Sequence, residues 1–235
     1  FDQRDILIEA LIGPILAERT FKEAVAEGAI CPLVVYMIKI PISRAFGDRD
    51  KAYKELMFKN EKVAKAIKWI CRDLLPEDWQ TLLFIKNEEQ AEFLLDWVGE
   101  EGTIAMAKRL TNTERKELMV RMCASDIKRC LASEIYAQGV TFSHVRALIN
   151  VSGGGANTST IQKPGRLAEV RPGKRCGVVF DFLFVPSAHD LRLESSQCLV
   201  RDSFARIQAY TEKGYEIIFV DSYNALEQSF NEKAL

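Results

Sequence analysis

Histidine is scarce in this chain: 235 residues hold two, His144 and His189, far apart in sequence. None of the six cysteines (Cys31, Cys71, Cys123, Cys130, Cys176, Cys198) forms a Cys-x-x-Cys pair. That combination argues against a zinc site, and no metal-binding residue is expected. Scattered single cysteines fit buried thiols in a reducing compartment better than a disulfide framework. No apolar run approaches the roughly 18 to 20 residues that span a bilayer. The charged start, Phe1-Asp-Gln-Arg-Asp5, is not a signal peptide. The expectation is a soluble, cytoplasmic protein with no membrane partner. Internal repeats and low-complexity tracts are also missing. The formal net charge is −1, so a nucleic-acid partner would be held by a local basic patch and not by an overall positive field.

What is present is ordinary globular material, 48% hydrophobic and 28% charged, enough for a real core. Strand-like and helix-like patterns alternate, the layout of a parallel sheet with helices on its faces, and the fold class expected is α/β. Thr81 to Ile85 reads as a buried strand, and Asn87 caps a helix carrying Ala91, Leu94, Leu95 and Val98 at helical spacing. Thr111 to Glu114 is a capping box, followed by Leu118 and Met122 one turn apart on a helix ending near Ser125. Cys130 to Ala132 and Ala147 to Ile149 are short apolar strands. The longest strand lies within Lys174 to Phe184 and is apolar enough to sit centrally. A helix from about Ser196, with Val200, Phe204 and Ile207 in register, stops at Lys213-Gly214 before a strand over Tyr215 to Val220. Nearer the start, a helix is expected from Asp5 to Glu18, broken at Gly13-Pro14. A capping box follows at Thr20 to Glu23, then a strand from Leu33 to Ile40. Pro41 and the polar stretch Ser43 to Asp50 suggest a boundary, giving a connector over residues 1–48 and a main unit over residues 49–235.

The chemistry concentrates in one segment. Between Ser159 and Arg175, Lys163, Arg166, Arg171, Lys174 and Arg175 face a single acid, Glu169. On composition alone the cluster reads as a solvated basic face, but cations so grouped also suit phosphate. An arginine placed on a terminal phosphate accelerates phosphoryl transfer by about 10³ to 10⁵.

Gln162-Lys-Pro-Gly-Arg166 resembles motif VI of superfamily 2 helicases, Gln-Arg-x-Gly-Arg-x-x-Arg, in the second RecA-like lobe. Gln162, Gly165 and Arg166 match, and Lys163 matches in charge. Glu169 stands where the last arginine belongs, and Arg171 lies two residues further on. Cys130 to Phe142 resembles motif V of the same lobe: Ser133 keeps a hydroxyl, Glu134 an acid and Gly139 a glycine, while Thr141 replaces an aspartate. Thr81 to Glu92 resembles motif IV, a strand running into a helix N-terminus, with Lys86 and Asn87 at the junction where free N–H groups favour phosphate. Thr111 to Lys116 is similar to the family's Thr-x-x-x-Arg segment and places Arg115 on the next helix. Val178 to Phe182 is similar to the strand that ends this lobe in phage and restriction-type members.

The resemblance implies a RecA-like parallel sheet with helices on both faces, preceded by a small helical and strand connector. It implies the C-terminal motor lobe of an ATP-dependent helicase or translocase acting on single-stranded or branched DNA, in a bacterial or phage-infected cell. Arg166, with Arg171 as a stand-in, would be catalytic. Gln162, Lys163, Gly165, Gly139 and Thr141 would contact ATP, and Lys86, Asn87, Arg115 and Ser133 the nucleic acid. No Gly-x-x-x-x-Gly-Lys-[Ser/Thr] loop or acidic Asp-Glu tetrad occurs in the chain. ATP with Mg2+ would therefore be bound mainly by a first RecA-like lobe, and the chain alone would not hydrolyse it. The alternative reading is a non-catalytic RecA-like binding or scaffold module, which the changes at Glu169 and Thr141 suggest.

Overall fold

In the computed structural model, residues 19–44, 46–99, 103–106, 110–133, 144–155, 164–187 and 197–235 are described, with only the backbone given for residues 103–106, Arg115 and Gln197. The expected Asp5–Glu18 helix, Glu134, Gly139, Thr141, Gln162 and Lys163 lie outside the described residues. Seven strands form one sheet: β1 (Leu33–Ile42), β2 (Gln80–Ile85), β3 (Thr103–Met106), β4 (Arg129–Ser133), β5 (Val145–Asn150), β6 (Gly177–Pro186) and β7 (Glu216–Val220). Their order is β3-β4-β2-β5-β6-β1-β7, and each neighbouring pair is parallel.

Strand alternation builds two apolar layers. On β1, Val34, Tyr36, Ile38 and Ile40 point to one face, while Leu33, Val35 and Met37 point to the other. Because both faces are covered, β1, β2, β5 and β6 read as near-continuous apolar runs without polar alternation. The first layer is roofed by α2 (Arg49–Tyr53), α3 (Glu61–Trp69), α4 (Glu88–Val98) and α7 (Tyr223–Ala234). The second is roofed by α5 (Asn112–Cys123) and the later part of α6 (Gln197–Lys213), whose Cys198 and Leu199 belong to the first layer, with Phe21 of the short helix α1 (Phe21–Ala26) packed at its margin. Helices α2 and α3 each run on into a π-helical turn, Lys54–Phe58 and Ile70–Leu74.

Several local expectations hold. Both capping boxes form, Thr20 with Glu23 and Thr111 with Glu114, and Leu118 and Met122 are buried. Two expectations do not. The sheet crosses the boundary drawn at residue 48, because β1 is hydrogen-bonded between β6 and β7 in its interior. Helix α6 also turns a different side inward: Phe204 is 57% exposed, and Leu199, Ser203, Arg206 and Tyr210 are buried instead. The apolar pattern misplaced this face because two of its inner positions are polar and satisfied. Ser203 Oγ donates to Leu199 O at 2.7 Å, and Arg206 meets Asp181 of β6, both fully buried.

Candidate nucleic-acid interface

In a parallel sheet with helical crossovers, ligands gather beyond the carboxyl ends of the strands. Ser133 ends β4 and pairs in register with Ile85, the last residue of β2, so Ser133 and Lys86 are brought together at that edge. The Ser133 hydroxyl is buried and has no hydrogen-bond partner among the described residues. Beside them, where β2 and β5 end, opens a cleft of about 670 Å3 lined by Arg49, Asp50, Tyr53, Lys54, Phe58, Lys86, Asn87, Ser152, Gly153 and Gly154.

The β2–α4 junction is tied down from within. Asn87 caps α4, its side chain accepting from Gln90 N at 2.9 Å. Buried Gln90 accepts from Lys86 N at 2.7 Å and donates to Val151 O at 2.8 Å, binding the junction to the end of β5. The side-chain oxygen of Asn87 is thus committed to its own helix, while the Lys86 side chain is exposed. Glu88 and Glu89 occupy the first turn of α4 and already meet its dipole. Glu89 takes Lys59 at 2.6 Å and Lys54 at 3.0 Å, and these two hydrogen bonds, Lys59's first, hold its carboxyl below the ordinary range. The cationic character of the cleft therefore comes from Lys86, joined by Arg49, which Asp202 holds at 2.8 Å but whose side chain is more than half exposed.

The rear wall is a buried polar network. Asp181, fully buried in β6, accepts from Arg206 Nε at 2.9 Å, Arg206 Nη2 at 3.0 Å, Tyr210 at 2.8 Å and Asn150 at 3.0 Å. Arg206 reaches on to Gly154 O at 2.7 Å, and the Gly154 N–H donates to the Tyr53 oxygen at 3.2 Å. Tyr53 in turn donates to Asp202, which also holds Arg49 at 2.8 Å. Burial first, and then the bond to Asp202, push the Tyr53 phenol far above its ordinary range, so it stays a neutral donor. Gly153 and Gly154 both have positive φ, +69° and +82°. A Cβ on Gly153 would lie 2.5 Å from the Tyr53 ring and 2.9 Å from Met57 Sδ, so only glycine fits the turn. Sequence reasoning missed Arg49, Tyr53, Arg206 and this turn. The visible hints were Ser152-Gly-Gly-Gly155 directly after an apolar strand and a lone acid, Asp181, inside another.

The described part of the motif VI look-alike, Pro164 to Arg166, lies at the opposite end of the strands. Leu167 is buried beside Gly177, the first residue of β6, and Cys31 N donates to Ala168 O at 2.8 Å just before β1 begins. Gly165, exposed, and Arg166, partly buried, sit on the turn that Leu167 anchors. Arg171 is engaged by Glu169 at 2.8 Å, so the acid that replaces the expected arginine holds the substitute cation. Lys174 donates to Leu167 O at 2.6 Å, and burial depresses its ammonium pKa. Thus Lys86, Asn87 and Ser133 share one edge, and Arg166 and Arg171 share the other. Arg115 lies on α5, where its backbone alone is described. Among the described residues no group of histidine, cysteine and carboxylate side chains could hold a metal, and no helix is long and apolar enough to cross a membrane.

No protein-family model and no curated protein sequence matches the chain. Solved structures do. The C-terminal domain of S. cerevisiae Dbp5, a DEAD-box protein, is 16% identical with a TM-score of 0.53, over 86% of this chain and 97% of that one. The ATP-dependent Type ISP restriction-modification enzyme LlaBIII, bound to DNA, is 15% identical with a TM-score of 0.59, over 95% of this chain but 18% of its own. T4 UvsW is 14% identical with a TM-score of 0.53, over 82% of this chain and 41% of its own. The chain therefore has a RecA-like α/β fold, shared with the C-terminal domain of Dbp5.

Proposed function

We propose that the chain is the C-terminal motor lobe of an ATP-dependent helicase or translocase that grips single-stranded or branched DNA at the carboxyl edge of its sheet. The observation that carries this reading is the convergence of Lys86, Ser133, Arg49 and the clamped Gly153-Gly154 turn at the ends of β2, β4 and β5. Lys86 and Arg49 supply charge for a phosphate backbone, and Ser133 stands beside them at the end of β4. Rigid backing by Arg206 and Tyr53 keeps the turn from rearranging when a strand arrives. Similar structures have been solved with RNA as well as with DNA, a Dbp5 complex with RNA and ADP BeF3 and the LlaBIII complex with DNA. Coverage does not separate the two, since the Dbp5 complex with RNA spans 99% of the chain and the LlaBIII complex 95%. DNA is the reading we adopt from the resemblance of Val178 to Phe182 to phage and restriction-type members.

ATP with Mg2+ would be held mainly by a first lobe carrying the phosphate loop that this chain does not contain. From this lobe Arg166 would reach the terminal phosphates, where a cation stabilises charge developing on the transferred group. Gln162, Lys163, Gly165, Gly139 and Thr141 belong to the same proposed nucleotide face. Arg171 is the weaker member, since Glu169 already takes its charge.

Strand binding by this chain tests the reading. Fluorescence anisotropy with a labelled single strand should give weak, salt-sensitive binding, the logarithm of the affinity falling by about 0.7 per phosphate neutralised for each tenfold rise in salt. Lys86→Ala with Arg49→Ala should weaken binding and flatten that slope, and DNA should compete better than RNA. Unchanged affinity and slope in the double variant would remove the cleft from the interface.

A further inference from the structure

A second opening lies on the same edge of the sheet, two strands beyond the cleft. It occupies the carboxyl ends of β1 and β7 and has a volume of about 400 Å3, within the roughly 300 to 1,000 Å3 of small-ligand sites. Its floor is apolar, built from Ile40, Val220 and Leu226, all buried. One wall is Tyr223, 43% exposed at the start of α7, whose ring stacks on Trp69 with centroids 4.7 Å apart and planes at 21°. The other wall is α3. Lys62, Lys65 and Trp69 recur at helical spacing on it, so two exposed lysines rise in line with the stacked pair. Acids nearby are few and only loosely engaged: Asp221 lies 3.9 Å from Lys39, and Glu61 3.6 Å from Lys65, both on exposed side chains.

We propose that this slot takes a nucleobase of the same single strand that crosses the cleft, with Tyr223 as stacking platform and Lys62 and Lys65 on the flanking phosphates. The inference rests on the strand-binding reading above and extends the footprint to the far end of the sheet. Three properties favour a base over another occupant. A flat apolar slot against a stacked aromatic pair accepts any base face, since stacking is tolerant of sequence. Lysines on the rim match the charge of a polyphosphate backbone. Helices α2 and α3 are consecutive, and one lines the cleft while the other lines the slot, so both openings lie on the same edge of the sheet.

The test uses this chain and thymidine strands of increasing length carrying one 2-aminopurine at successive positions. In the wild type, strands long enough to reach from cleft to slot should bind tighter than shorter ones, with 2-aminopurine fluorescence quenched at one position. Tyr223→Ala should remove that quench and weaken long-strand binding about tenfold, while short strands bind as before. Tyr223→Phe should behave as the wild type. Lys62→Gln with Lys65→Gln, both on exposed positions, should lower the salt slope by about 1.4, two phosphate contacts' worth for a single strand. If the slot variants bind long strands as the wild type does while Lys86→Ala weakens them, the slot assignment is overturned and the cleft reading stands. If the wild type binds no strand, both are overturned. Binding of an acidic, aromatic peptide in the slot without competition from the strand would also overturn the base assignment.

Discussion

The residue that organises the candidate interface is Arg206. Its guanidinium is fully buried, doubly hydrogen-bonded to Asp181, and extends to Gly154 O, so one side chain joins β6, α6 and the turn after β5. Removing one member of a buried ion pair leaves the other charge uncompensated and costs about 3 to 5 kcal/mol. Arg206→Leu is therefore expected to lower stability by that amount in urea unfolding, with a loss under 1 kcal/mol contradicting the pair's role. An exposed carboxylate offers a contrasting case. The Thr111 hydroxyl, then the Thr111 N–H, hold the Glu114 carboxyl below its ordinary range. A lowered folded-state pKa means the capping contribution is complete above the ordinary carboxylate pKa and fades as pH falls through the lowered value. The Thr111 amide shift in nuclear magnetic resonance should titrate with a midpoint below that of an unperturbed glutamate. A midpoint at the ordinary value would remove the bond.

At the scale of elements, the π-helical turn Lys54–Phe58 and the glycine turn after β5 are fitted to one another. Tyr53 and Met57 fill the space that a side chain at Gly153 would need. Gly153→Ala combines that clash with an unfavourable positive φ and should cost about 1 to 3 kcal/mol while weakening strand binding. Helix α6 allows a sharper comparison. Phe204→Ser should change stability by no more than about 0.5 kcal/mol, as exposed substitutions do, whereas Leu199→Ala should cost about 2 to 5 kcal/mol. The opposite ranking would restore the register that periodicity suggests. These elements also mark what was legible in the sequence. Strands β2, β5 and β6 and both capping boxes could be read, because continuous apolar runs and cap spacing are local properties. The inner face of α6 could not, since its Arg206 is satisfied by Asp181 and by carbonyls distant in sequence. The place of β1 inside the sheet was hidden for the same reason: its partners, β6 and β7, follow it by more than a hundred residues. Lys86 and Ser133 were found because they end recognisable strands, while Arg49 and Tyr53 carry no local mark and are brought to the cleft by contacts distant in sequence, with Asp202 and Gly154.

For the whole molecule, the proposed function divides the labour between the two ends of the sheet. The carboxyl edge gathers Lys86, Ser133 and the clamped turn, and the amino edge presents Gly165 and Arg166. A lobe built this way could hold a strand at one end and sense nucleotide at the other, with closure against a first lobe coupling them. Strand binding and ATP turnover should then separate by mutation, Arg166→Ala affecting the second and Lys86→Ala chiefly the first. The measurement that bears most directly on this is single-turnover ATP hydrolysis, with and without single-stranded and branched DNA. It should be made on this chain alone and on the chain joined to a phosphate-loop lobe. The account predicts no turnover by the chain alone, DNA-stimulated turnover by the joined form, and loss of that turnover in Arg166→Ala with strand binding retained. Robust hydrolysis by the chain alone, or equal turnover in Arg166→Ala and wild type, would contradict it.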